Sequence, residues 1–175
     1  KAHAAAYVMM AFRIAYFKVN YPQAFYSTYF STKGLSSFDA AIVLKGREYI
    51  LSTMSGVLAK GKEATAKDFD LYTVLEIVLE ALARGIKFHP VDIYQSHYEK
   101  FTPKDKDGLI CPFSSVQGLG NVAARRIFEE AQKGPFISVE DFKDRAGVSK
   151  SVIEALDAIG SLKSLPKTDQ LCFFE

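Results

Sequence analysis

The chain of 175 residues has no tryptophan, two cysteines, three histidines and six prolines, and its net charge is only +2. Cys111 and Cys172 stand far apart and neither belongs to a Cys-x-x-Cys pair, which argues against a disulfide framework and against a zinc site. A reducing, cytoplasmic setting is expected. No apolar run reaches the ~20 residues that a bilayer requires, because Arg13 and Lys18 interrupt the amino-terminal one, so no membrane partner is expected. There is no initiator methionine and no signal peptide, and the chain begins inside a helical pattern. It therefore reads as a piece of a longer protein. No acidic pair stands in a metal-binding context. Asp68 and Asp70 open an amphipathic helix, where carboxylates stabilise the helix N-terminus. No metal and no cofactor is expected within the chain.

Hydrophobic residues make up 49%, enough to build a core. The small net charge hides a gradient. Residues 1–62 carry eight Lys or Arg against Asp39 and Glu48, whereas residues 63–85 carry two basic and five acidic residues. A basic amino-terminal third suits a polyanionic partner, and equally a solvated face. Residues 1–19 have neither Gly nor Pro and are apolar nearly all round, a pattern expected to be buried on most sides. Pro22 opens a second helix whose Phe25, Tyr26, Tyr29 and Phe30 form an expected core cluster. Residues 33–37 read as a loop. Ser37 is the expected cap of a helix over 38–59, with Gly46 and Gly56 marking candidate bends. Thr65 caps a helix over 66–84 that Gly85 closes. Short strands are predicted at 91–96, 100–102 and 109–111, with a turn over 104–108. The fold class is mainly α with a small β element.

The stretch Phe113–Phe128, FSSVQGLGNVAARRIF, pairs a short apolar segment with a helix from Asn121 across Gly118-Leu119-Gly120. Two glycines two apart let the turn take positive φ twice. Ala124 permits close approach of the two segments, and Val116, Leu119, Ile127 and Phe128 fill the seam between them. This resembles a helix-hairpin-helix motif, in which the glycine turn offers amide N–H groups at the N-terminus of the second helix to a DNA phosphate. The first amides of a helix lack internal partners and carry the positive end of its dipole. Such a contact is independent of base sequence. The candidate contacts are Gly118, Leu119, Gly120, Asn121, Val122 and Ala123. A second copy comes after it, with Gly147-Val148-Ser149 as its turn and a helix from Lys150. Ser149 departs from the glycine pattern, so this copy reads either as a second DNA contact or as the structural partner of the first.

Longer stretches carry a wider resemblance. KAHAAAYVMMAFRIAYFKVNYP (residues 1–22), TVLEIVLEALARGIKF (73–88), VDIYQS (91–96), LICPF (109–113), QGLG (117–120) and VSKSVIEALDAIGSLKSLP (148–166) occur in this order. Together they are similar to the bacterial replicative DNA polymerase III α subunits, most of all to the PolC type. The resemblance covers nearly the whole chain. It implies that residues 1–85 are the helical end of the fingers and that residues 86–166 are a duplex-binding domain with tandem hairpins. It further implies that residues 167–175 are a flexible tail. His3 and Tyr7, on one helix face, would border the nascent pair and the incoming dNTP, with Lys1 and Arg13 steering phosphates. Gln170-Leu171-Cys172-Phe173-Phe174 is similar to the family's sliding-clamp-binding peptide, with Cys172 and Phe173 as departures. Gln117 and Gln95 also depart, replacing a proline and an arginine.

The resemblance places the catalytic aspartates and their Mg ions in the palm, upstream of Lys1. By itself this chain is therefore expected to be inactive, and without the palm its front helices are expected to expose apolar area. Its partners would be primer-template duplex and the sliding clamp. Two other classes remain open. One is a free-standing hairpin module of a repair or recombination protein, which upstream coding sequence would exclude. The other is a protein-interaction domain with structural hairpins, which a failure to bind primed duplex at low salt would favour.

Overall fold

The computed structural model describes residues 2–168. Helix α1 (Ala2–Asn20) stops where Asn20 precedes Tyr21 and Pro22, and Asn20 Nδ2 donates to the Tyr16 carbonyl at 2.9 Å. Pro22 then starts α2 (Pro22–Tyr29) at its first position. The expectation that α1 is buried on most sides does not hold. Phe12 is 72% exposed and Val19 67%. An all-round apolar helix needs cover on several sides, and among the described residues its main neighbour is α2. Apolar area was expected to be exposed on the front helices, and α1 has it. One polar latch adds to that contact: Lys18 Nζ reaches both oxygens of Glu80 at 2.7 and 2.8 Å. Burial alone would raise the Glu80 carboxyl, but Lys18 and Arg84 outweigh it and hold it below its ordinary range.

The stretch read as a loop continues the helix instead, as a π turn (Phe30–Gly34) and a 3₁₀ turn (Leu35–Ser37). Asp39, rather than Ser37, caps the next helix, accepting from the amides of Ala41 and Ile42. The long helix divides at Gly46 into α3 (Ala40–Val43) and α4 (Arg47–Ala59), and Gly56 leaves α4 unbroken. Helix α5 (Ala66–Ala83) carries the full capping box between Thr65 and Asp68. Val74, Leu75 and Val78 of α5 are buried.

Three short strands come next: β1 (Lys87–His89), β2 (Thr102–Lys104) and β3 (Gly108–Ile110). The order is β1-β3-β2, with β1 parallel and β2 antiparallel to β3. Residues 91–96 are not a strand. The Asp92 carboxylate accepts from the amides of Tyr94 and Gln95, and the Ser96 hydroxyl bridges the Asp92 amide and the Cys111 carbonyl. These side-chain bonds take the place of a ladder. Helix α2 clasps the sheet through its backbone. Gln23 Nε2 donates to the carbonyls of Lys104 and Gly108, Ser27 Oγ donates to the Phe101 carbonyl, and the Phe101 amide donates to Ser31 Oγ. Behind that clasp the rings of Phe30, Phe38, Phe88 and Phe101 pack at centroid distances of 4.8 to 6.4 Å.

The last third holds α6 (Asn121–Lys133), α7 (Val139–Ala146) and α8 (Lys150–Ala158). One continuous buried cluster runs from Tyr26 through Phe113, Leu119, Ile127, Phe142 and Val148 to Leu162.

Candidate nucleic-acid interface

The segment before the first glycine turn is a single 3₁₀ turn, Phe113–Ser115, and not an α-helix. Phe113 and Val116 anchor it in the core, and Leu119 points inward with 5% exposure. Gly118 sits at φ +82°, a conformation that L side chains rarely adopt. Gly120 differs from the expectation of two positive φ values: at φ −68° and ψ 157° it is the extended N-cap of α6. Nothing lies within 4 Å of a Cβ built on either residue. The polypeptide thus has no internal reason to keep Gly120 small.

Gly118, Gly120 and Asn121 are exposed around the buried Leu119, and Val122 is 86% exposed. Among the described residues, the first α6 amide with a backbone partner is that of Ala124, which donates to Gly120. Among the described residues no side chain caps α6. The amides of Asn121, Val122 and Ala123 therefore face outward at the positive end of a 13-residue helix. A cleft of about 600 Å³ opens beside them, lined on one side by Gln117 to Asn121 and on the other by Ser31, Thr32 and Ser36.

The second turn repeats the backbone plan with different chemistry. Gly147 is left-handed at φ +61°, and Val148 is buried as Leu119 is. Here Ser149 caps its own helix, its hydroxyl accepting from the Val152 amide at 3.4 Å. The exposed guanidinium of Arg126 from α6 lies over Gly147, and a methyl group there would displace it. That arginine lies across the second turn.

Sequence reasoning passed over the residues that hold the two hairpins together. Arg145 of α7 donates to the carbonyls of Glu130, Gly134 and Pro135 and lies 4.3 Å over the Phe136 ring. It closes the C-terminus of α6 onto α7. His97 stacks on Tyr98 at 4.2 Å and packs against Phe128 of α6 at 5.1 Å. Its Nδ1 accepts from the amides of Glu99 and Lys100, and burial holds its imidazole below the ordinary value. Tyr98 in turn receives Arg125 at 3.2 Å. The paired arginines in Asn121–Phe128 were the available signal, but their partners lie far off in sequence.

The other candidates fall elsewhere. His3 and Tyr7 meet edge to face at 4.6 Å on the exposed side of α1, and with Ala6 and Met10 they line a shallow hollow. Arg13, on the same helix, is exposed. Lys1 and the peptide Gln170–Phe174, with Leu171, Cys172 and Phe173, lie outside the described residues. Among the described residues no group of His, Cys, Asp and Glu is arranged to hold a metal ion, and no helix is long and apolar enough to cross a membrane.

Residues 85–171 match the model of the helix-hairpin-helix motif. Over 174 residues the chain is 51% identical to DNA polymerase III PolC-type of Caldanaerobacter subterraneus subsp. tengcongensis, 47% to that of Listeria welshimeri and 45% to that of Bacillus subtilis. Each alignment takes in 99% of this chain and 12% of the relative. With that identity held from end to end, and with the hairpin geometry in its second half, the chain belongs to the PolC-type DNA polymerase III family, of whose members it spans about an eighth.

Proposed function

We propose that this chain is the part of a DNA-directed DNA polymerase that holds product duplex behind the active site. In this reading residues 1–85 form the end of the fingers, residues 86–166 hold the duplex, and the tail carries the sliding-clamp peptide Gln170–Phe174. The observation that carries the proposal is the open N-terminus of α6. Exposed Gly118 and Gly120 flank a buried Leu119, the first helical amides lack a cap, and a cleft lies beside them. An anion is the natural partner of such amides, and a duplex offers a phosphate irrespective of its sequence.

The first hairpin is then the gripping one, and the second, its helix capped by Ser149, positions it through the hold of Arg145 on the end of α6. His3 and Tyr7 would lie against the nascent pair and the incoming dNTP, with Lys1 and Arg13 near phosphates. Reaction chemistry, with its Mg ions, belongs to carboxylates outside these residues. The protein would work in the cytoplasm, at the replication fork. The test is binding of primed duplex across a salt series by the protein and by a Gly118/Gly120 double substitution. Retained affinity with the fold intact refutes the grip. Capture of the sliding clamp with and without residues 170–174 tests the tail separately.

A further inference from the structure

A second cleft lies away from both glycine turns, at the far end of α8. It holds about 350 Å³ and is lined by His89, Asp92, Lys104, Ser161, Lys163 and Ser164, among others. Three features set it apart. Ser161 is 8% exposed, and among the described residues its hydroxyl has no hydrogen-bond partner. A buried hydroxyl left unpaired is costly, and few are tolerated without a role. Second, Lys104 and Lys163 both border the cleft, and among the described residues neither makes an ion pair. Third, the stem of Lys163 is folded back over Gly160. A Cβ there would lie 3.1 to 3.4 Å from the lysine's Cε, Nζ and Cδ, so a larger residue would shift the stem by a few tenths of an ångström.

We propose that this cleft binds a phosphate group. Two ammonium groups supply its charge complement, a turn about the Ser161 Cα–Cβ bond brings its hydroxyl, closed off in the structure, to one oxygen, and Ser164 and His89 offer further polar contacts at the rim. The one opposing charge is Asp92. Its Oδ1 already accepts from the amides of Tyr94 and Gln95, and its Oδ2 from Gln95 Nε2, so the carboxylate is engaged in its own turn. The volume admits a phosphate with the groups esterified to it. The phosphate comes either from the backbone of a nucleic-acid strand or from free inorganic phosphate. The first source rests on the proposed duplex grip, whereas the second does not.

Both sources are tested in the full-length protein with Lys104→Gln/Lys163→Gln, which keeps the stems, and with Ser161→Ala. Duplex affinity is measured across a salt series, and melting temperature is measured in inorganic phosphate against chloride at equal ionic strength. A strand phosphate makes the slope of log K against log salt shallower by about 1 in the double variant. An unchanged slope, with a phosphate-induced rise in melting temperature that both variants lose, assigns the cleft to the free ion. If the slope is unchanged and phosphate raises all melting temperatures alike, the inference is overturned. Loss of duplex binding on substitution at Gly120, with no effect of the lysine pair, removes the strand source and leaves the first hairpin's role intact.

Discussion

Replacing Gly120 separates the needs of the fold from the needs of a ligand. Its φ of −68° and ψ of 157° suit any residue, and no atom lies within 4 Å of a Cβ built there. Gly120→Ala therefore meets two small opposed effects on stability. Lower entropy of the unfolded chain gains about 0.4–1 kcal/mol, and alanine is a poorer N-cap than glycine by roughly the same amount. The net change in stability is expected within about 0.5 kcal/mol. Binding responds differently, because an N-cap side chain stands over the amides of the first turn. A methyl group there obstructs the approach of a phosphate to Asn121, Val122 and Ala123. Hydrogen bonds to a charged group contribute about 1.5–3 kcal/mol, so affinity for duplex falls roughly tenfold or more.

Gly120→Ser sharpens the contrast. Its hydroxyl can cap α6 as Ser149 caps α8, raising stability by a few tenths of a kcal/mol while weakening binding. Fluorescence anisotropy with a labelled duplex at low salt, alongside urea denaturation, reads both quantities. If Gly120→Ser binds duplex as tightly as the parent, the α6 amides are not the contact.

Other consequences concern the frame. Arg145→Ala frees the carbonyls of Glu130, Gly134 and Pro135 and should cost about 2 kcal/mol, a fall of about 4–8 °C in melting temperature; a fall below one degree would show that α6 and α7 hold without it. Asp68 has its carboxyl drawn down from 3.8 to about 2, first by the hydrogen bond from Lys60 and then by those from Thr65. Its folded value lies below its unfolded one, so its stabilisation is complete above pH ~4 and is lost as the pH falls towards 2. Asp68→Asn should flatten that part of the stability profile, as urea midpoints between pH 5 and 2 will report. Cys111 is fully buried and its thiol is pushed up by burial. In a Cys172→Ser background it should resist a thiol reagent until the protein unfolds, and rapid labelling of the native state would contradict its placement.

What could be read from the chain was local. Thr65 with Asp68, Pro22, and the stripe Val74, Leu75 and Val78 declare themselves within one or two helical turns. The hairpin declared itself through Gly118-Leu119-Gly120 because positive φ and a buried central residue are properties of neighbours. Failures occurred where a distant partner decided the outcome. Residues 91–96 have strand-like composition, but Ser96 finds the carbonyl of Cys111, fifteen residues on. Residues 33–37 look like a loop, yet the clasp on Phe101 carries the helix onward through a π turn. Helix α1 has the pattern of a buried helix and stands in solvent, since burial depends on surfaces its own sequence cannot announce. Around the candidate site, the turn was legible, whereas Arg126 over Gly147 and Arg145 under α6 were not.

The clasp between α2 and the sheet is made to main-chain atoms. Gln23, Ser27 and Ser31 meet the peptide groups of Phe101, Lys104 and Gly108. Substitution at the exposed Lys106 can therefore reshape the outer surface of the β2–β3 turn while the joint keeps its geometry. The front helices and the sheet are therefore expected to open as one unit, which hydrogen exchange at the Phe101 amide would report.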